Sequence, residues 1–219
     1  MSLEILVVDD SALLRRVECD IINSDNKFKV TDTCKDGLEA LEKLRTKKYD
    51  GVVLDINMPR MDGLELLQQL QKEKIKANIV MASTLTVEGA NEAIKSLELG
   101  AIDFVTKPSN IIEAKGDAFK KALLDVLYAA TKAKVHFKKP SPVVAADKTA
   151  AASVNRLKKP GQNKIIAIAS STGGPKALQS VIPRIPADID APVVLVQHMP
   201  AGFTRSIIEA KGDAFKKAL

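Results

Sequence analysis

The sequence contains no tryptophan, and aromatic residues make up only 4% of its 219 positions. Sugar clefts and platforms for single-stranded nucleic acid are built from stacked rings, so this scarcity argues against both. Cysteine is nearly absent as well: only Cys19 and Cys34 occur, in unrelated local contexts. Two thiols cannot form the framework of a disulfide-stapled secreted domain; they read as structural cysteines of a reduced, cytoplasmic protein. No apolar run approaches the roughly 18 residues that a membrane span needs. The opening MSLEILVVDD lacks a basic leader and a small-residue cleavage site, so no signal peptide is expected.

With 46% hydrophobic and 27% charged residues, the chain has the composition of a globular protein of one or two domains. Its net charge of +6 is unevenly placed. Residues 1–130 are net acidic, and the excess of positive charge sits in 131–164. That stretch, KAKVHFKKPSPVVAADKTAAASVNRLKKPGQNK from Lys132 on, is rich in Pro, Ala, Ser and Lys and shows no sustained apolar period. It reads as a solvated, flexible linker. The competing reading is a basic arm for nucleic acid, which a salt-dependent affinity for DNA would favour. Nothing else in the sequence calls for a nucleic-acid partner.

Before the linker the pattern alternates. EILVVDD is a short apolar run ending in aspartates, and SALLRRVECDIINS then spaces Leu13, Leu14, Val17 and Ile21 as a helix does. FKVTDTC, YDGVVLDINMP, NIVMAS and AIDFVTKP read as further strands. DGLEALEKLRTKKY, DGLELLQQLQKE and VEGANEAIKSLELG, the last closed by Gly100, read as helices between them. One last helix is expected from Ile111 to about Lys132. Five βα units imply an α/β fold with a doubly wound, five-stranded parallel sheet. Such sheets bind ligands at the carboxyl ends of their strands, beside the topological switch point.

The polar residues fall on those ends. Asp9 and Asp10 follow the first strand, Asp55 ends the third, Ser83 and Thr84 the fourth, and Lys107 the fifth. With strand order 2-1-3-4-5 they converge on one rim. Taken singly, each has a plain explanation: an aspartate after a strand caps the next helix, and Lys-Pro is a loop. Together they place three carboxylates where mutual repulsion calls for a cation. An all-oxygen site of this kind suits Mg²⁺. A carboxylate beside such an ion and a lysine can accept a phosphoryl group.

After the linker, IIAIA and APVVLV read as buried strands flanking the helix that begins in SSTGGPKALQSVI. This βαβ unit puts Ser171 and His198 at the carboxyl ends of neighbouring parallel strands. Singly, Ser171 reads as a helix cap and His198 as a packed loop residue. Jointly they read as a nucleophile and its base. STGG as a phosphate loop lacks the Walker pattern and its lysine.

Two resemblances follow. LVVDDSALLRR, VVLDINMPRMDGLELL, IVMASTLT and GAIDFVTKP resemble the receiver domain of two-component response regulators, over about residues 1–125. This implies a flavodoxin-like fold with Asp55 as phosphoacceptor. It also implies Mg²⁺ held by Asp9, Asp10, Asp55 and the Asn57 carbonyl. Lys107 would contact the phosphoryl group, Ser83 rather than Thr84 would be the switch hydroxyl, and Phe104 the switch aromatic. Receiver, linker, ASSTGGPKAL and VLVQHMPAGFTRS, in that order, resemble the CheB-type chemotaxis response regulators, the protein-glutamate methylesterases. The resemblance implies Ser171 as nucleophile and His198 as general base, with no cofactor for the esterase. It implies hydrolysis of glutamate methyl esters on methylated chemoreceptors, with glutamine deamidation. The phosphodonor would be the chemotaxis histidine kinase, and the unphosphorylated receiver would mask the esterase site. Contact with a membrane would arise only through those receptors, from the cytoplasm.

The chain departs from that family at its end. The family continues for well over a hundred residues past TRS and supplies the aspartate that orients the histidine. Here residues 207–219, IIEAKGDAFKKAL, repeat 111–123, with unlike flanks of TRS and PSN. No substitute acid is apparent. Asp190 would sit on the order of 25 Å from His198, at the far end of a strand. Asp188 is no nearer, and Asp213 lies in the repeat. Loss of the orienting acid alone can cost about 10⁴ in rate. The expected layout is a receiver at 1–130, a linker at 131–163, the opening of a methylesterase domain at 164–206, and a splice-like or truncation tail at 207–219. The esterase is expected to be inactive or very weak, which leaves the alternative of a phospho-accepting receiver without esterase activity. A lone βαβ unit of this size is also expected to be poorly ordered or sticky unless another surface covers it.

Overall fold

The computed structural model describes residues 2–83, 86–133, 164–186, 189, 191–197 and 199. The linker beyond Ala133, residues Thr84, Asp188, Asp190 and His198, and the repeated tail lie outside the described residues.

Five parallel strands form one sheet: β1 Leu3–Val8, β2 Phe28–Cys34, β3 Gly51–Asp55, β4 Ile79–Ser83 and β5 Asp103–Thr106. Their order is β2-β1-β3-β4-β5, as expected. Four helices connect them: α1 Ala12–Asn23, α2 Gly37–Thr46, α3 Gly63–Glu73 and α4 Val87–Glu98. Each starts on an oxygen-bearing cap. Ser11, Asp36, Asp62 and Thr86 accept backbone N–H groups of the first turn, and Asp62 with Glu65 closes a reciprocal capping box.

The single last helix expected after β5 is instead two: α5 Ile111–Ala114 and α6 Asp117–Lys132. The break falls at Gly116, whose backbone is extended (φ −75°, ψ 152°) and which caps α6. Glycine is a poor helix interior residue, and Asp117 behind it suits a helix start. A continuous periodic stripe hid this break.

Strand alternation sorts the core into two layers. On one face Leu6, Val8, Val52, Leu54 and Met81 pack against Leu41, Leu66, Leu70 and Leu97 of α2, α3 and α4. On the other, Ile5, Val7, Val53 and Val80 pack against Val17, Ile22, Phe119, Leu123 and Leu127 of α1 and α6. Each fully buried Leu or Val contributes roughly 1.5–3 kcal/mol. With both faces covered, the central strands read as continuous apolar runs.

Beyond the linker, β6 Ile166–Ser170, α7 Gly174–Val181, a 3₁₀ turn at Ile182–Arg184 and β7 Val193–Gln197 form the expected βαβ unit. β6 and β7 pair in parallel as a separate two-stranded sheet. One face stays open, with Val194 48% and Val196 59% exposed. The unit meets the receiver through its helix and through Met199. Helix α7 packs on α4, and Met199 packs against the receiver's core layer that holds Phe104. Among the described residues no helix is long and apolar enough to cross a membrane.

Candidate functional site

The carboxyl ends of β1, β3 and β5 bring Asp9, Asp10, Asp55 and Lys107 together. Asp9 is fully buried and is held by the Ser11 N–H at 2.8 Å. The Arg15 guanidinium donates to its backbone carbonyl at 2.5 Å. Asp10 is exposed, and Asp55, the last residue of β3, is 5% exposed. One carboxylate oxygen from each of the three lies within 4.8 Å of the others. The loop after β3 folds tightly under Asp55. A side chain at Gly63 would collide with the Asp55 carbonyl, so the Asp62-Gly63 pair sets the height of the acid on the rim.

Lys107 bridges the site. Its Nζ stands 2.6 Å from Asp9 Oδ2 and 2.8 Å from Asp55 Oδ1, with only 8% of the residue exposed. Burial alone would lower the ammonium's pKa; the facing carboxylates of Asp55 and Asp9 outweigh it and raise the value. Asp55 moves up too, although its partner is a cation. Burial is the largest cause, the Asp9 charge adds to it, and Lys107 offsets only part. The rim is therefore short of positive charge, which is the condition for an added cation. Asp9, Asp10 and Asp55 offer it oxygen ligands, and they fit the hard-cation chemistry expected from the sequence.

The other expected residues lie close by. Ser83 ends β4, 1% exposed, and its hydroxyl donates to the Gly89 carbonyl of α4 at 2.8 Å. Phe104, 7% exposed, lies in β5 within the core layer. Asn57 is exposed on the loop after β3, and its side-chain amide donates to Glu92 of α4 at 3.4 Å. Its carbonyl as a metal ligand remains a proposal.

In the second unit, Ser170 and Gln197 are register partners at the ends of β6 and β7. Gln197 locks the turn: it accepts from Ser170 Oγ at 2.6 Å and donates to the Ser171 carbonyl at 3.0 Å. Gly174 lies so close beneath that any side chain there would strike Gln197 and Ser170. Ser171 is exposed on this turn. It shares a cavity of about 550 Å³ with Gln197, Met199, Asp103, Phe104 and Lys107. Lys107, the lysine of the rim, and Ser171, on the turn, thus line one cavity.

Three features escaped sequence reasoning. Glu18 of α1 is 1% exposed, its Oε2 has no hydrogen-bond partner, and burial pushes its carboxyl up to about 8. A signal was present: position 18 is four after Leu14 and three before Ile21, on the apolar stripe. Asp103 of β5 is 5% exposed and accepts the Gly173 N–H at 2.6 Å. Lys176 of α7 donates to the Ala101 carbonyl at 2.9 Å. These two long-range contacts have no local signature.

A 2-1-3-4-5 parallel sheet with a buried Asp–Lys–Asp rim defines a receiver module. Residues 5–115 match the profile of the response regulator receiver domain, and the chain belongs to that family. Residues 166–213 match the profile of CheB methylesterase. The crystal structure of the response regulator domain of Thermotoga maritima CheB superposes with TM-score 0.53 at 38% identity. It covers 61% of this chain and 99% of that one. The protein-glutamate methylesterase/protein-glutamine glutaminase 1 of Syntrophomonas wolfei is 42% identical over 210 residues, and the corresponding protein of Archaeoglobus fulgidus 43% over 209. These matches take in 94% of this chain and 58% of each relative's length. In the order of its two matched segments the chain is similar to these relatives, and it spans somewhat over half of their length.

Proposed function

We propose that this chain accepts a phosphoryl group on Asp55 and thereby controls a Ser171/His198 esterase acting on glutamate methyl esters of chemoreceptors, with glutamine deamidation as the related reaction. The observation that carries the reading is a shared cavity: Lys107, which bridges Asp9 and Asp55, lines the same space as Ser171. In the first step an Asp55 carboxylate oxygen bonds to phosphorus as the donor's bond to phosphorus breaks, P–N in a kinase phosphohistidine and P–O in acetyl phosphate. Lys107 neutralises charge on the transferred oxygens. Mg²⁺ bound by Asp9, Asp10, Asp55 and the Asn57 carbonyl would screen the remaining negative charge. Ser83 then leaves the Gly89 carbonyl for a phosphoryl oxygen, and Phe104 follows.

In the second step Ser171 Oγ attacks the ester carbonyl while His198 takes its proton. Methanol leaves, and water hydrolyses the acyl-enzyme to glutamate. The register pairing of Ser170 with Gln197 supports this, since Ser171 and His198 are the next residues in sequence after these two strand ends. The phosphodonor is a chemotaxis histidine kinase, the substrates are methylated receptors, and the compartment is the cytoplasm.

The test is methanol release from methylated receptor by the purified chain, with and without acetyl phosphate and Mg²⁺, beside Ser171→Ala. Weak release, stimulated by the phosphodonor and abolished in the variant, is expected. No release, while Asp55 still takes up phosphate, would overturn the esterase half and leave a receiver without esterase activity.

A further inference from the structure

Masking of an esterase site by a receiver says nothing of the chemistry at the contact. The contact here has a definite one. The Asp103 carboxylate, at the first position of β5, accepts the Gly173 N–H at 2.6 Å and its neighbour Phe104 N–H at 2.9 Å. Burial raises the Asp103 carboxyl, and the hydrogen bonds from the Gly173 and Phe104 N–H groups offset part of that rise. Gly173 stands two residues after Ser171 and caps the eight-residue α7, so its N–H lies at the positive end of that helix. A carboxylate 95% shielded from solvent has thus been brought onto this amide from another part of the fold, rather than left in water. Lys176 fixes the register of the contact by donating to the Ala101 and Gly100 carbonyls, at 2.9 and 3.4 Å, just before β5.

We propose that the Gly173 N–H is the amide with which the serine turn holds a glutamyl carbonyl or carboxylate oxygen, and that Asp103 is its built-in occupant, a mimic of the product. The inference rests on Ser171 being the nucleophile. Glutamyl ester hydrolysis ends in a side-chain carboxylate, the same group that Asp103 presents. While Asp103 holds the amide, a substrate or product oxygen is excluded from it by direct competition. Phe104, the neighbour of Asp103 on β5, is the aromatic proposed to move on phosphorylation, so the switch lies one residue from the plug. The amide therefore becomes available when β5 shifts, with no separate lid.

The test follows the Gly173 amide in the full chain by ¹⁵N NMR and hydrogen exchange. In the unmodified protein this amide should be protected and insensitive to added sodium acetate. In Asp103→Ala its exchange should rise about tenfold or more, and acetate should now shift its resonance. Lys176→Met leaves β5 intact and should raise the exchange in the same direction, which keeps the test decisive if Asp103→Ala fails to fold. Equal exchange in the unmodified protein and in Lys176→Met or a folded Asp103→Ala would overturn the proposal, as would an acetate shift that does not depend on Asp103. Failure of the serine reading is distinguishable. Ser171→Ala should keep the Gly173 amide protected, whereas an unreactive Ser171 shows as absent labelling by a fluorophosphonate even in Asp103→Ala.

Discussion

Lys107→Met should destabilise the receiver by about 3–5 kcal/mol, the usual consequence of removing one member of a buried ion pair. Urea unfolding at neutral pH, with an unchanged dependence on denaturant, would read it. Lys107 sits within 2.8 Å of both Asp9 and Asp55, and all three are nearly closed to solvent. Without the ammonium, two buried carboxylates face each other uncompensated. Asp55, already raised by burial, then loses the cation that offsets the rise and favours its protonated form, so the loss should shrink as the pH is lowered. Mg²⁺ should restore part of the stability, since the variant exposes a cation-deficient carboxylate cluster. As a domain's whole stability is about 5–15 kcal/mol, the effect is large. A change below about 1 kcal/mol would place Lys107 in water, as an exposed pair is.

Glu18→Gln should act in the opposite direction. The Glu18 carboxyl is 1% exposed, and burial, with the Asp9 charge as the next cause, raises it from 4.5 to about 8. A raised carboxyl binds its proton more tightly in the folded protein than in the unfolded chain. Between about pH 4.5 and pH 8 the folded state keeps a proton that the unfolded state has shed. Its contribution to stability is therefore fully present below pH 4.5 and lost as the pH rises through 8. The variant lacks this titration. It should unfold at nearly the same urea concentration as the unmodified protein at pH 4.5, and should be more stable by about 3–5 kcal/mol near pH 9. Parallel pH profiles for the two proteins would show that Glu18 is not buried as a neutral acid.

The sheet order and the gathering of Asp9, Asp55 and Lys107 at its rim were legible in the sequence because their signals are local. Asp9, Asp55, Ser83 and Lys107 each follow an apolar run directly, and the parallel topology does the rest by carrying every strand end to one edge. The break at Gly116 was not legible. The apolar stripe of Phe119, Leu123 and Leu127 runs on from Ala114, and only the glycine marked the division. Glu18 was passed over as one more charged helix residue, although it lies on the buried stripe of α1. Asp103 and Gly173 are 70 positions apart, and no periodicity within either segment links them. The turn around Ser171 was legible as a strand followed by glycines. The role of Gln197 in locking it depends on the register of β6 against β7, which sequence alone does not define. The readings of His198 and of the 207–219 repeat fall outside the described residues.

The account depends most on Asp55. Its most direct test is intact-mass and peptide mass spectrometry of the chain after incubation with acetyl phosphate and Mg²⁺. One phosphoryl group, labile in base and located to the peptide holding Asp55, is the predicted result. It should be present in Ser171→Ala and absent from Asp55→Asn. Normal labelling of Asp55→Asn would contradict the account.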